Sequence, residues 1–233
     1  MTPKIIAHRG VTRNDQENTL HAYHQAFSDG ADGLEVDVRL SKDEKPIIFH
    51  DEDTSRVFKK SLEIKNTTYS DLEALGNSEN RIPLLDEVLD LLPQNKECFI
   101  EIKSDANTVP FLDKLKIEKK NITFLSFDKN VVLALKKRFP NKLTFQNFHT
   151  LQIERYGIKK ILEFYKKGNS DGLSIDIRDL SNKTIDKLLE KKIDLIIWTL
   201  NSMERLKELS KKNIRAIITD EVKDFADFLR GKS

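Results

Sequence analysis

Short apolar runs alternate with longer segments of helical periodicity along the whole chain. The short runs are rich in Val, Ile and Phe and are bounded by polar turns, which predicts β-strands. The longer segments carry apolar residues at i, i+3, i+4 and i+7, which predicts amphipathic helices. The predicted strands cover residues 4–8, 33–38, 98–103, 122–126, 143–147, 172–176, 194–199 and 214–219.

Eight strands with a helical segment after each predict an α/β fold of the (β/α)8 TIM-barrel type. An open doubly wound sheet is the structural alternative, because strand–helix alternation alone does not distinguish the two. The first strand–helix turn, Ala7-His8-Arg9-Gly10, lacks the glycine-rich phosphate loop that doubly wound sheets often carry. The strand count therefore favours the barrel.

A hairpin arm is predicted directly after the second strand. The apolar run 45–50 follows a polar turn, residues 41–44, that is too short for a crossover helix of about ten or more residues. The run should therefore return antiparallel. A turn centred on Asp43-Glu44 places His50 opposite Asp37.

Residues 51–81 are polar and weakly patterned, and we interpret them as a small insertion over the barrel mouth with a short helix at 70–75. With that insertion included, we expect residues 1–233 to form one barrel domain. The length is sufficient for a large core, because domains of this size bury roughly 70–75% of the surface of the unfolded chain.

Composition and charge limit the class of partner. The chain has 40 Lys and Arg against 38 Asp and Glu, a formal net charge of +2. This balance predicts no bulk affinity for nucleic acid or anionic membranes. No apolar stretch approaches the ~20 residues of a membrane span, and no signal peptide fits the N-terminus. We expect a cytoplasmic protein without stable membrane insertion. The chain has a single cysteine, Cys98, which excludes an internal disulfide. Cys98 lies in an apolar run and is predicted to be buried.

Charged and imidazole side chains interrupt the apolar pattern near the ends of the first strands. These residues are His8, Arg9, Glu35, Asp37, His50, Glu101 and Lys103. A lone strand-end histidine or a single carboxylate pair is commonly structural. Their joint occurrence at three strand ends and a hairpin favours a functional site, because barrel enzymes place their sites at strand C-terminal ends.

Strand alternation assigns the carboxylates to the barrel interior. The intervening residues of the second and third strands are apolar and should face the helices: Leu34, Val36, Ile100 and Ile102. Glu35, Asp37 and Glu101 therefore face inward, where an unpaired charge costs on the order of several kcal/mol. A divalent cation would offset that cost. Ligation by oxygen alone favours Mg²⁺ or Ca²⁺ over Zn²⁺.

The same residues lie in motifs that resemble the glycerophosphodiester phosphodiesterase family over nearly the whole chain. The motifs follow the family's order: Ile5-Ile6-Ala7-His8-Arg9-Gly10, Glu17-Asn18-Thr19-Leu20, Gly30-Ala31-Asp32, Glu35-Val36-Asp37-Val38, Ser41-Lys42-Asp43, His50-Asp51, Ile82-Pro83-Leu84-Leu85-Asp86-Glu87, Ile100-Glu101-Ile102-Lys103, Trp198-Thr199-Leu200-Asn201 and Ile218-Thr219-Asp220. Gln16 replaces the family's usual Pro, Glu44 stands where a hairpin Gly is common, and Glu221-Val222 replaces another Pro. None of these departures falls on an expected catalytic position.

The resemblance implies metal-dependent hydrolysis of glycerophosphodiesters to sn-glycerol 3-phosphate and an alcohol. His8 and His50 are then the acid and base, in either order, because imidazole titrates near neutrality. Arg9 and Lys103 are suited to the non-bridging phosphate oxygens. Trp198 would pack against the glycerol moiety, or lie in the core.

Two other functions stay open at this stage. A lysophospholipase D or phospholipase-type enzyme on the same barrel would need an apolar lip, and residues 51–81 supply little of one. A non-catalytic binding module would be expected to have lost the histidines or carboxylates. The head group, the choice between the two metals and the oligomeric state are not encoded, and His149 and Arg56 receive no assigned role.

Overall fold

Residues 2–12, 17–178 and 180–231 are described by the structure, a computed structural model, and within these ranges eight parallel strands close into the predicted (β/α)8 barrel. Closure is complete because the first strand pairs with both the second and the last. The barrel strands are β1 (Lys4–His8), β2 (Gly33–Leu40), β4 (Glu97–Ile102), β5 (Asn121–Ser126), β6 (Leu143–Phe148), β7 (Gly172–Asp176), β8 (Asp194–Trp198) and β9 (Ala216–Thr219).

Helices surround the barrel, and two short ones lie in the segment that follows the hairpin arm. The surrounding helices are α1 (Leu20–Ser28), α4 (Leu85–Leu91), α5 (Lys129–Arg138), α6 (Thr150–Gly168), α7 (Asn182–Glu190), α8 (Met203–Leu209) and α9 (Val222–Leu229), and the two short ones are α2 (Ser55–Phe58) and α3 (Tyr69–Glu73). One connection departs from the predicted alternation, because β4 leads to β5 through the 3-10 segments Ala106–Lys114 and Ile117–Lys119. Pro110 lies inside the first of these and lacks the N–H that a helix interior requires.

The strand alternation separates two apolar layers, as predicted. The outward residues Leu34, Val36, Ile100 and Ile102 are buried in the layer between strands and helices, and Cys98 lies there too. A second apolar layer fills the barrel interior and includes Ile6, Phe99, Phe145, Ile196 and Ile218. Each fully buried side chain of this size contributes about 1.5–3 kcal/mol, so the interior is a packed support for the charged residues above it.

The predicted hairpin arm forms as β3 (Pro46–Ile48), antiparallel to β2. Its predicted register was wrong by one residue. The N–H of Phe49 donates to the carbonyl of Asp37 at 2.9 Å, so Phe49 and not His50 lies opposite Asp37. The turn has five residues, 41–45, and is therefore centred on Asp43 and not between Asp43 and Glu44. Glu44 in this turn has φ 61°, the left-handed conformation that favours glycine.

Residues 51–81 contain α2, the 3-10 turn Ile64–Asn66 and α3, which begins one residue before the predicted helix and ends two residues earlier. Apolar side chains of this segment pack with neighbouring residues of the hairpin arm and with Ile82 in a small separate core. Its members are Ile47, Phe49, Ile64, Tyr69, Leu72 and Ile82. In the described part of the chain, every helix is too short or too polar to span a lipid bilayer. Gln16, one of the departures noted in the sequence, lies outside the described residues.

Candidate active site

Three carboxylates converge inside the barrel. Glu35 and Asp37 come from β2 and Glu101 from β4, where Asp37 and Glu101 are register partners. One oxygen from each side chain lies within 4.8 Å of the others. The three residues are only 3%, 1% and 8% exposed, so water does little to screen their mutual repulsion.

Two cations partly compensate this acidic cluster. Lys103 Nζ lies 2.9 Å from Glu101 Oε1 and 3.3 Å from Asp37 Oδ1, and Arg9 Nε lies 3.1 Å from Asp37 Oδ2. Burial raises the pKa of Asp37, but the charges of Lys103 and Arg9 outweigh it and lower that pKa to about 2. Burial and the two neighbouring carboxylates raise the pKa of Glu35 well above its ordinary value. Three carboxylates against two cations leave a negative site made of oxygen donors, which suits a hard divalent cation.

Asn18 orients the central carboxylate of this cluster. Its Nδ2 donates to Asp37 Oδ2 at 3.0 Å, and its Oδ1 accepts from the Tyr23 hydroxyl at 2.8 Å. Asn18 adopts φ 59°, just before Thr19, which caps α1 by accepting from the N–H of Ala22 at 3.2 Å. The contact of Asn18 with Asp37 was not predicted from the sequence.

His8 ends β1 and is held through Nδ1. Asp220 Oδ1 lies 2.8 Å from His8 Nδ1. Asn201 fixes that carboxylate, with Nδ2 donating to Asp220 Oδ2 at 2.7 Å and Oδ1 accepting from the Asp220 N–H at 3.0 Å. Burial raises the pKa of Asp220, but the contact with His8 outweighs it and the pKa is lowered. Because Nδ1 is held by a carboxylate, Nε2 is the nitrogen left for chemistry.

His50, which follows β3, has the same arrangement. Its Nδ1 lies 2.6 Å from Asp51 Oδ1, and its carbonyl accepts from Arg39 Nε at 2.8 Å. Burial lowers the pKa of His50 from its ordinary value; the attraction of Asp37 opposes that shift, and the positive charges of Lys103 and Arg9 reinforce it.

Arg56, which the sequence left without a role, connects the two sides of the site. Its Nε donates to Asp51 Oδ2 at 2.5 Å, and its Nη2 donates to Glu17 Oε1 at 2.5 Å. Glu17 Oε1 also accepts a hydrogen bond from Arg9 Nη1 at 3.1 Å. One side chain from the segment 51–81 thus holds both the partner of His50 and the partner of Arg9.

These residues surround one cavity of about 240 Å³. Of the residues predicted for the site, the cavity wall contains His8, Arg9, Glu35, His50, Glu101, Lys103 and Trp198. Asp37 does not line the cavity. Its carboxylate accepts the hydrogen bond from Asn18.

The opposite wall of the cavity is aromatic and was mostly missed by the sequence reasoning. Phe127 stacks on His149 with ring centres 4.5 Å apart, and Trp198 meets His149 edge-on at 5.5 Å. Nδ1 of His149 lies 3.5 Å from Asp176 Oδ2. Phe127 follows β5 in a loop, and no charge or motif marked it in the sequence.

Comparison with known sequences finds similarity over nearly the whole chain. The model of the Glycerophosphoryl diester phosphodiesterase family matches residues 8–224. A glycerophosphodiester phosphodiesterase from Caldanaerobacter subterraneus is 26% identical and covers 99% of both chains. A human lysophospholipase D is also 26% identical, over 99% of this chain and 87% of its own length.

Solved structures agree with the fold. A glycerophosphodiester phosphodiesterase from Thermotoga maritima superposes with a TM-score of 0.82 at 30% identity, covering 98% of this chain and 99% of its own. A phosphodiesterase from Oleispira antarctica, solved with the product sn-glycerol 3-phosphate, has a TM-score of 0.86 at 22% identity and covers 98% and 97% of the two chains.

Proposed function

We propose that this chain, a phosphoric diester hydrolase that belongs to the glycerophosphoryl diester phosphodiesterase family, hydrolyses glycerophosphodiesters in the cavity to sn-glycerol 3-phosphate and an alcohol. One observation carries the proposal. Two imidazoles, each held at Nδ1 by a carboxylate, line the same cavity as a buried acidic cluster.

Glu35, Asp37 and Glu101 hold a divalent cation, either Mg²⁺ or Ca²⁺. The fit rests on three convergent buried carboxylates that two cationic side chains do not fully compensate. When bound, the cation neutralises charge on the phosphoryl oxygens and helps to orient the nucleophile. The all-oxygen donor set supports the hard metals but does not separate one from the other.

Arg9 and Lys103 bind the non-bridging oxygens of the diester. Both line the cavity, and each is held by Asp37 so that its remaining N–H groups are available to an anion. Arg9 offers a planar fork, and Lys103 offers a point charge. Their hydrogen bonds strengthen as negative charge builds on these oxygens in the transition state.

His8 and His50 form the acid/base pair. One takes, on Nε2, the proton of the attacking water or glycerol hydroxyl, and the other gives a proton from Nε2 to the leaving alkoxide oxygen. If the glycerol hydroxyl attacks, the cyclic phosphate that it forms is then opened by water, so both routes end at sn-glycerol 3-phosphate. Each transfer contributes about 10²–10⁴ in rate. Asp220 and Asp51 keep the Nδ1 proton in place, which fixes the tautomer that each role requires.

Substitution of each histidine tests this proposal. With glycerophosphocholine and added Mg²⁺ or Ca²⁺, His8→Ala and His50→Ala should each abolish release of sn-glycerol 3-phosphate. His24→Ala, an exposed histidine on α1, is the matched control and should retain full activity. Retention of activity by either cavity variant would contradict the assigned roles.

A second candidate substrate, a lysophospholipid, is favoured by one feature. Leu151 is 75% exposed and Tyr156 45% exposed, and both lie in α6 directly after the cavity residue His149. Their exposed apolar surface supplies the kind of contact that an acyl chain requires, and residues 51–81 supply little of it. Lysophosphatidylcholine should therefore be assayed beside glycerophosphocholine, and Leu151→Ser should lower only the activity on the lipid.

We also propose that residues 1–233 act as one domain in which 51–81 is an insertion at the mouth of the barrel. The contacts of Arg56 with Asp51 and Glu17 support this assignment. The substrate is then a small molecule bound between the insertion and the strand ends.

A further inference from the structure

A second cleft, of about 500 Å³, lies beside the catalytic cavity, and we call it the outer cleft. Its wall comes from the end of β2 and the hairpin turn (residues 39–44), from the segment 51–81, and from the connection that follows β4 (residues 103–108). Lys103 lines both spaces, so a phosphoryl group held by Lys103 adjoins the outer cleft as well as the cavity. One ester arm of a bound diester can therefore extend into it.

Arg39 supplies this wall with hydrogen-bond donors that the protein leaves unused. It lies two residues after Asp37 on β2, so its side chain leaves the same face of the strand about 7 Å nearer the barrel mouth. Its Nε donates to the carbonyl of His50 at 2.8 Å, and among the described residues this is the only hydrogen bond of its guanidinium. Nη1 and Nη2 of this half-buried side chain are thus available to an anion in the outer cleft.

A carboxylate lies in the same wall without a cationic partner. Glu52 follows His50 by two residues, which places it beside the guanidinium that His50 holds. Within the described ranges, however, no ion pair joins Arg39 to Glu52, and Glu52 pairs with no other cation. The wall therefore presents two opposite charges side by side, each with capacity for a ligand.

The hydroxyl of Thr108 is a further unpartnered group in this wall. Thr108 is 1% exposed, and its Oγ1 has no hydrogen-bond partner in the part of the chain that the structure describes. Buried polar groups are almost always hydrogen-bonded. An unpartnered hydroxyl at a cleft wall thus indicates a place for a polar ligand.

The charges of the outer cleft are balanced, and its lining contains no aromatic ring. The lining residues include four cations and four anions, which are Arg39, Lys42, Lys65 and Lys103 against Glu44, Glu52, Glu63 and Asp105. Balanced charge favours a ligand that carries both signs. A trimethylammonium group is typically held by aromatic faces, whereas a primary ammonium donates hydrogen bonds to carboxylates. A guanidinium fork matches the geometry of a carboxylate.

We propose that the outer cleft binds the departing alcohol of the diester as a zwitterion, with an ammonium and a carboxylate, as in a serine head group. The inference rests on the proposed function and specifies the leaving group of its substrate. Nη1 and Nη2 of Arg39 donate to the carboxylate, and Glu52 accepts from the ammonium. The Thr108 hydroxyl adds one hydrogen bond to the head group.

The test compares kcat/KM for three diesters that share the glycerol 3-phosphate half, in the presence of Mg²⁺ or Ca²⁺. They are glycerophosphoserine, glycerophosphoethanolamine and the ethyl diester, glycerophosphoethanol. The serine-to-ethanolamine ratio reports on the carboxylate, and the ethanolamine-to-ethyl ratio reports on the ammonium. The intrinsic reactivity of each leaving group is the same in every variant, so a change in a ratio isolates recognition by the protein.

The two variants should affect different ratios. Arg39→Gln should lower the serine-to-ethanolamine ratio about tenfold, the effect of losing hydrogen bonds to a charged group, and leave the ethanolamine-to-ethyl ratio unchanged. Glu52→Gln should lower the ethanolamine-to-ethyl ratio about three- to tenfold and leave the serine-to-ethanolamine ratio unchanged. A variant that merely perturbs His50 would slow all three diesters by one factor. For a variant too slow to assay, calorimetric affinities of its His8→Ala form give the same ratios.

Arg138→Gln and Glu163→Gln are the matched controls. Arg138 pairs with Asp113 and Glu163 pairs with Lys160, and all four residues lie outside the wall of the outer cleft. Both variants should keep the two wild-type ratios, and thermal unfolding checks that every variant is folded.

Three results overturn the proposal. If Arg39→Gln and Glu52→Gln change all three diesters by one factor, or change none, the outer cleft does not recognise the head group. If only one ratio responds, the cleft binds a single charge and the zwitterion is wrong. In both cases wild-type protein still releases sn-glycerol 3-phosphate, and the proposed function stands. If folded wild-type protein hydrolyses none of the diesters, the proposed function fails and the subsite fails with it.

Discussion

Asp220 Oδ1 lies 2.8 Å from His8 Nδ1, although the two residues are 212 positions apart in the chain. The pairing of β1 with β9 brings them together, because barrel closure places the first and last strands side by side. One strand supplies the imidazole and the residue after the other supplies its partner. Closure of the fold thus brings His8, one member of the proposed acid/base pair, to its carboxylate partner.

Asp220→Asn should lower kcat/KM for glycerophosphocholine about 10²-fold. The amide can no longer hold the Nδ1 proton as a carboxylate does, so His8 loses its fixed tautomer and part of its proton-transfer function. Steady-state kinetics with saturating metal measure the effect. Asp227→Asn in α9 makes the same change of charge away from the cavity and should leave the kinetics unchanged; equal rates for both variants would remove Asp220 from the mechanism.

If His50 is the base of the pair, the acidic limb of the kcat/KM profile should lie below the ordinary histidine pKa of about 6.5. Burial lowers the pKa of His50, so its neutral form persists to lower pH than in an exposed histidine. A cation on the carboxylates would shift the pKa the same way, since it offsets the attraction of Asp37. In the Asp51→Asn variant the acidic limb should move to still lower pH. The hydrogen bond with the Asp51 carboxylate raises the pKa of His50, so its loss lowers that pKa further. An upward shift would contradict this assignment.

Arg56→Gln should lower kcat/KM about tenfold while changing stability little. The side chain is 50% exposed, and exposed ion pairs contribute about 0–1 kcal/mol to folding. Its role is to position Asp51 and Glu17, so the loss should be in kcat more than in KM. Arg138→Gln is the comparison, because Arg138 pairs with Asp113 at 55% exposure outside the cavity wall. If the two variants behave alike, Arg56 is only a surface residue.

Glu44→Gly should stabilise the protein by about 0.5–1 kcal/mol. Glu44 has φ 61°, where a side chain is strained and glycine is not. Urea denaturation compares the variant with Lys42→Gly, which lies in the same turn and is absent from the described positive-φ residues. The control should be destabilised, and a loss of stability in both variants would contradict the account of the turn.

Alternation of apolar and charged residues was sufficient to predict the barrel and the inward carboxylates, because strand periodicity fixes which face each side chain occupies. The hairpin register was less accessible, since the sequence does not specify which residue of a polar turn takes the left-handed conformation. Phe127, Asn147 and Ser174 carry no charge and no motif. Phe127 lies in the loop after β5, Asn147 on β6 and Ser174 on β7, and only the folded structure shows that they line one cavity.

In the proposed mechanism, hydrolysis depends on a divalent cation held by the acidic cluster. The most direct measurement follows ³¹P NMR of glycerophosphocholine with chelator-treated protein, before and after addition of Mg²⁺ or Ca²⁺. We predict no conversion before addition and conversion to sn-glycerol 3-phosphate afterwards, in wild-type protein but not in Glu101→Gln. Conversion without metal, conversion by Glu101→Gln at the wild-type rate, or no conversion by folded wild-type protein with either metal would contradict it.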